Sequence, residues 1–372
     1  MVREARLVDF FLNLCRINSP SLGERECVEY AKKQLEDWGL EVHEDDAGEK
    51  IGGNGNNLIA RVPATAEGKP TVFLSAHFDT VEPTEGLEIQ EVNGVFSSAS
   101  DTILGADDKA GIASAVEAVL SLVESGTPHG EVLLFLSVAE EIGLKGASEI
   151  DLKRWQPSFG YVLDTGPPVG SFVTRTATHD KLDVTIIGKP AHAGKDPEKG
   201  INAIQVAASA INGMRLGRIA EETTANIGII EGGTAVNVVC PKVKVRAEAR
   251  STSVEALDEQ VGHMVQRFEE AAREWGARVE ISHSRHYHAY DISPDAEVVR
   301  HAVEASRRLG MDPLLRTTLG GSDANVYNAK GIPTIVVATG MEKIHTHEEQ
   351  VSRQSLVDVA NLCLEILKSA NA

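Results

Sequence analysis

Apolar positions in this chain follow two different periods, and the switch between them outlines its organisation. Over residues 4–38 they recur every three or four positions, which predicts two amphipathic helices interrupted at "NSPSLGE", residues 18–24. Apolar runs then predict strands at "NLIARVP" and "TVFLSAHFD", a helix at "KAGIASAVEAVLSLVES", and strands at "GEVLLFLSV" and "FGYVLD". Strands alternating with helices predict an α/β layer: a mostly parallel sheet sandwiched by helices. From about residue 178 the period falls to two. "THDKLDVTIIGK", "NIGIIEGG", "AVNVVC", "KVKVRAEARS" and "RVEISHSRHYH" read as strands of one antiparallel sheet, with helices at "INAIQVAASAINGM" and "SVEALDEQVGHMVQRFEEAAREWG". After Tyr290 the first texture returns and runs to a C-terminal helix. The prediction is therefore a domain of residues 1–177 and 290–372, with an α+β domain of two helices on an antiparallel sheet, residues 178–289, inserted into it.

Composition narrows the partners. The chain has 372 residues, enough for about two domains, and 42% of them are hydrophobic, enough for a substantial core. A net charge of −19 repels phosphate backbones, so nucleic acid is not an expected partner. Cys15, Cys27, Cys240 and Cys363 are scattered, with no CxxC pair, which points to a reducing, cytoplasmic setting. The N-terminal stretch mixes charges with apolar residues and does not read as a signal peptide. No apolar run approaches the ~18 residues of a membrane span.

The chemistry collects where core strands end. "TVFLSA" runs into His77 and Asp79, "EVLLFLSVA" into Glu140 and Glu141, and "YVL" into Asp164. "PTIVVATG" leads to "KIHTHEE" with His345 and His347, and Asp107 and Asp108 stand at the mouth of a helix. Open α/β sheets bind ligands outside the carboxyl ends of their strands. Two histidines with several carboxylates suit zinc or another first-row divalent ion. There are more carboxylates than one zinc needs, whereas two ions about 3.5–4 Å apart sharing a carboxylate would use them. Such a site also needs a general base that is not a ligand. At a strand end the turn lets both Glu140 and Glu141 reach one pocket, one to bind metal and the other to take a proton from water. Taken singly, each group has a plainer role: Glu140 and Glu141 as loop acids, Asp107 or Asp108 as a helix cap, His77 as a core histidine. Together at strand ends they point to one site.

The motifs "SAHFDTV", "GADDKAG", "VAEEIGLKGA", "LDTG", "AHAGKDPEKGINAI", "GGTAVNVV", "AEARS", "GGSDAN" and "IHTHEE" occur in an order that resembles the tripeptide aminopeptidase (peptidase T) branch of the dinuclear metallopeptidases. That family includes carboxypeptidase G, the succinyl-diaminopimelate desuccinylase and the aminoacylases. The resemblance runs from about residue 5 to 368. It implies two divalent ions per chain, zinc first and cobalt or manganese as alternatives, held by His77, Asp107, Glu141, Asp164 and His345, with Asp107 bridging. It implies Asp79 orienting His77, Glu140 as the general base, and a cis peptide after Asp107. His345 rather than His347 is the implied ligand. His192 is implied to reach the active site of a partner subunit and stabilise the oxyanion. Asn237, Arg250, Gly321 and Ser322 are implied to contact substrate. The expected partners are a short peptide, cleaved at its N-terminal end, and a second copy of the chain joined through the inserted domain. Relatives with the same metal core remove acyl groups from amino acids or cut C-terminal glutamate, and the metal residues do not distinguish them. A non-catalytic metal-binding scaffold of the same fold is the reading from another class. "HSRHYH", with His283, His286 and His288 at alternate positions, reads as a solvated strand face.

Overall fold

The computed structural model of the chain describes residues 1–371 and divides into two units. The first comprises Met1–Arg175, Tyr290–Thr317 and the chain from Ser322 onward; the second comprises Thr176–Ala289 and Thr318–Gly321.

The fold of the first unit is mixed α/β around an eight-stranded sheet. Its spatial order is Glu41–Glu44, Leu58–Val62, Val132–Ser137, Val72–His77, Phe159–Val162, Thr334–Val337, Ser171–Arg175, Leu314–Thr317. The central pairings, Val132–Ser137 with Val72–His77, Val72–His77 with Phe159–Val162, and Phe159–Val162 with Thr334–Val337, are parallel. Antiparallel pairs lie at Glu41–Glu44, at Leu58–Val62, and between Thr334–Val337 and Ser171–Arg175. The central strands are buried at every position and mostly apolar because both faces are covered. Val72, Leu74 and Ala76 join the core beneath helices Glu4–Cys15, Ala106–Ser125 and Arg353–Ala370, whereas Phe73 points to the opposite core with Phe135 and Tyr327. Gly160 faces that second core. A Cβ there would come within 2.3 Å of the Phe73 ring, so the ring occupies the space a side chain would take. A separate three-stranded antiparallel sheet joins Gln350–Ser352, Val95–Ser98 and Ile89–Val92.

A partly buried ion pair fastens the first helix to the central one. Glu117, on Ala106–Ser125, is buried and accepts from Arg6 Nε at 2.6 Å and Nη2 at 3.0 Å, Arg3 N at 2.7 Å and Ser121 Oγ at 2.9 Å. Removing one partner of a buried pair leaves the other desolvated. Arg6→Met is therefore expected to destabilise the first unit by about 3 kcal/mol, and Glu117→Gln added to it should recover part of the loss. Calorimetric melting of the metal-free protein checks this; an Arg6→Met transition unmoved from that of the parent would show that the pair contributes nothing.

In the second unit the five-stranded sheet is antiparallel, in the order Gly217–Ala220, Thr223–Gly232, Lys242–Ser251, Thr178–Ile187, Arg278–Tyr287. Leu182, Val184, Ile186, Val243, Val245 and Ala247 alternate onto the face covered by helices Ala203–Asn212 and Val254–Trp275. Asp180, with no side-chain exposure, is held on this sheet by Arg285 Nε at 2.8 Å and His283 Nε2 at 2.8 Å. "AVNVVC" was expected as a strand and is not one. It lies in the connection between Thr223–Gly232 and Lys242–Ser251, which pair with each other directly, so it cannot enter the sheet between them. It meets the 191–193 segment instead, through Ala193 N to Asn237 O and Val239 N to Ala191 O, and Val236 is fully exposed. Among the described residues no helix is long and apolar enough to cross a membrane.

Candidate metal centre

The parallel register brings three strand ends level. His77 ends its strand opposite Ser137, and Val162 lies opposite Ser75 one strand over. Three residues beyond Ser137 stands Glu140, and two beyond Val162 stands Asp164. Asp107 lies in extended backbone (φ −80°, ψ 105°) just before the main run of its helix, and the Asp107–Asp108 peptide is cis. His345 comes from the loop after Thr334–Val337.

These residues converge. The ligand atoms of His77, Asp107 and Asp164 lie within 4.8 Å of one another, as do those of Asp107, Glu141 and His345, and those of His77, Glu140 and Glu141. Asp107 belongs to two of the groups, one oxygen toward each histidine: Oδ1 is 3.3 Å from His77 Nε2 and Oδ2 is 3.2 Å from His345 Nε2. His345 Nε2 is also 3.0 Å from Glu141 Oε1. His77 Nδ1 donates to the main-chain oxygen of Asp79 at 2.9 Å, so in the neutral imidazole that a metal ligand requires, Nε2 turns its lone pair toward Asp107. Two acceptors then face each other at 3.3 Å, and Asp107 Oδ1 is buried with no hydrogen-bond partner. A cation between them removes the conflict.

The electrostatics agree. Burial pushes the carboxyls of Asp108, Glu140 and Asp164 well above the usual carboxylate range, and neighbouring acids add to the shift. Burial also works to raise Asp107, but the neighbouring imidazoles of His345 and His77 outweigh it and hold the group below that range. Hydrogen bonds to Asp107 and Glu141 push His345 up to about 10. Acids packed this closely are stabilised by divalent cations, and the donor set, imidazole nitrogens with carboxylate oxygens, fits them.

Other predicted residues fall outside these groups. The Asp79 carboxylate accepts from Glu140 N at 2.9 Å, Glu141 N at 3.1 Å and Ser21 Oγ at 2.6 Å, while its Oδ1 stays 3.4 Å from His77 Nδ1. His347 is bonded elsewhere, to Asp101 and Glu82 at 2.9 Å each. In the second unit, His192 and Asn237 lie on the paired 191–193 and 237–239 segments, both exposed. Gly194 N donates to His192 Nδ1 at 3.1 Å, so the imidazole carries its proton on Nε2. Arg250 donates to Tyr287 Oη at 3.3 Å, Leu319 O at 3.2 Å and Glu248 Oε2 at 3.1 Å. Gly321 packs so closely on the Tyr287 ring that a Cβ would lie 2.3 Å from it. Ser322 is the N-cap of Asp323–Ala329, in a capping box with Asn325.

Three residues that support the centre carried no site role in the sequence reading. Buried Glu349 accepts Gly105 N at 2.6 Å and Asp107 N at 2.9 Å, tying the loop of His345 to that of Asp107. Buried Asp323 takes a hydrogen bond from Ser137 Oγ. Glu24, in the stretch read only as a helix break, accepts from Ala139 N at 3.0 Å. Glu349 and Asp323 stand inside quoted motifs, "IHTHEE" and "GGSDAN", which was the available signal.

Comparison with known proteins gives concordant results. The profile of peptidase family M20/M25/M40 matches residues 73–369. A crystal structure of the aminopeptidase PepT from Bacillus cereus is similar at 41% identity and a TM-score of 0.88, with 99% of each chain covered. That of a tripeptidase from Staphylococcus aureus is similar at 38% identity and a TM-score of 0.93, covering 100% of this chain and 99% of the other. An uncharacterised protein of Bacillus subtilis, YqjE, is 41% identical over 370 residues, the full length of both chains.

Proposed function

This chain belongs to peptidase family M20/M25/M40, and from that premise we propose that it is a tripeptide aminopeptidase working with two divalent metal ions, zinc first, cobalt or manganese as alternatives. The observation that carries the reading is Asp107, whose two oxygens face two separate ligand groups, His77 with Asp164 and Glu141 with His345, next to the buried carboxyl of Glu140. The likeness to PepT and to a tripeptidase across essentially the whole chain supports N-terminal cleavage of short peptides.

Divalent cations held there supply an acidified water and a polarised scissile carbonyl. The protein supplies the proton chemistry. Glu140 takes a proton from the attacking water and returns it to the leaving amine. Asp79 fixes the backbone of Glu140 and Glu141 and the ring of His77. His192, with its proton on Nε2, donates to the oxyanion, and Asn237, Arg250, Gly321 and Ser322 hold the substrate. The second unit serves as a dimerisation and lid domain, so that His192 of the partner subunit completes each site. An open sheet edge supports this: Thr223–Gly232 pairs with Gly217–Ala220 only over Thr223–Ala225, and beyond it Ile229 and Ile230 are exposed. The four cysteines are free and buried, which suits the cytoplasm. The acidic surface argues against nucleic acid.

His192→Ala is expected to lower kcat by about 10²-fold with metal content unchanged. Ile230→Glu should yield a monomer with the same defect; a monomer of full activity would end the shared-site proposal.

The deciding experiment counts metals per chain by elemental analysis and assays di- and tripeptides beside N-acyl amino acids. About two metals, with chelator-sensitive release of the N-terminal residue of tripeptides, is the expected result. Activity confined to N-acyl amino acids would move the assignment to the deacylases. No metal and no turnover after reloading with zinc, cobalt or manganese would make the protein a binding scaffold.

A further inference from the structure

Glu24 closes the "NSPSLGE" segment, and its carboxyl is fully buried. Its Oε1 accepts two main-chain N–H groups, Leu22 at 2.8 Å and Ala139 at 3.0 Å, while Oε2 is buried with no hydrogen-bond partner. Both residues it holds are left-handed without being glycine: Leu22 at φ 69° and Ala139 at φ 53°. That conformation is unfavourable for a residue with a Cβ. An idle buried carboxylate oxygen is a further cost. An apolar side chain would avoid the idle oxygen but leave the Leu22 and Ala139 N–H groups unpaired, so the role of this carboxyl is to hold those two amides.

What it fixes is the approach to Glu140. Four successive amides are taken by side chains remote in sequence: Val138 N by Asn57 Oδ1 at 3.0 Å, Ala139 N by Glu24, and Glu140 N and Glu141 N by Asp79. Asp79 is steadied in turn by Ser21 Oγ from the Glu24 segment. The φ of Ala139 sets the direction in which the chain enters Glu140. Of the four restraints, the bond from Glu24 is the one that acts on the left-handed residue itself.

We infer that Glu24 is a positioning residue for the reaction, holding Ala139 in left-handed backbone so that the Glu140 carboxylate is aimed at the attacking water. The inference rests on the reading of Glu140 as the general base.

Two variants separate geometry from charge. Glu24→Gln keeps an oxygen that can accept both N–H groups; Glu24→Leu keeps the bulk and accepts nothing. In the metal-loaded enzyme Glu24→Leu is expected to lower kcat by about 10²-fold, the scale of a misplacement near 1 Å, with KM and metal content within about twofold of the parent. Glu24→Gln should restore kcat to within about threefold. In the metal-free protein, hydrogen exchange at amides 139–141 should accelerate in Glu24→Leu and not in Glu24→Gln. If Glu24→Leu does not fold, Glu24→Asp, one methylene shorter, replaces it with the same expectations. Parent-like kcat and exchange in Glu24→Leu would overturn the inference. So would a Glu24→Gln enzyme as impaired as Glu24→Leu, which would assign the effect to charge. Exchange reads the hold on Ala139 without reference to turnover. A failure of the base assignment, seen as an active Glu140→Gln enzyme, is thereby distinguishable from a failure of the Glu24 inference.

Discussion

Glu140→Gln is expected to reduce turnover by about 10³-fold, close to 4 kcal/mol of transition-state stabilisation, while the protein keeps both metals. The substitution preserves shape and removes only the capacity to take a proton. Glu140 lies beside His77 and Glu141, yet it stands outside the two groups that share Asp107. Burial pushes its carboxyl upward, with Asp164, Asp323 and Glu141 adding to the shift, as suits a group that must hold a proton between attack and departure of the amine. The main chain at Glu140 is fixed by Asp79, so the amide should occupy the place of the carboxylate. Steady-state kinetics and elemental analysis on the same preparation decide the matter. Substantial turnover would remove Glu140 from the role of base, and loss of metal would make it a ligand.

The strand ends that carry these residues were readable because each is a local pattern: an apolar run closed by an acid or an imidazole within a few positions. Parallel register then gathers them without further instruction, since strands that start level end level. The supports were not readable, because their partners are far along the chain. Glu24 reaches across 115 positions to Ala139, and Glu349 across 242 to Asp107. A glutamate that accepts main-chain N–H groups leaves no periodicity and looks like any surface acid. The same limit explains the short strands. Ser171–Arg175 and Leu314–Thr317 are too brief to display a period, and they are placed by their neighbours in the sheet. "AVNVVC" erred in the opposite sense. Its apolar alternation is real, but it lies in the connection between two strands that pair directly with each other, and it pairs briefly with residues 191–193 instead.

The heaviest loss of metal is expected from Asp107→Ala. Each of its oxygens lies near a different histidine, 3.3 Å from His77 and 3.2 Å from His345, and it is the member common to the His77–Asp164 and Glu141–His345 groups. Removing it takes a ligand from both positions and the one negative charge they share. Each ion would then keep two protein ligands, below the three or four at which zinc sites are built. Metal content should fall from about two per chain to near none after desalting, and turnover by at least about 10⁴-fold, beyond the loss from the base alone. Glu141→Ala provides the contrast. It belongs with His345 and leaves His77, Asp107 and Asp164 in place, so it should retain about one ion per chain. The fold should survive in both, because the buried cores lie on the two faces of the sheet rather than at its carboxyl edge, and circular dichroism of the metal-free proteins would establish that. An Asp107→Ala protein that retained one ion as tightly as Glu141→Ala would show that Asp107 serves a single metal and does not bridge. Equal loss from both variants would mean that the two ions bind only as a pair, and the bridge would then have to be tested by affinity at limiting metal rather than by content.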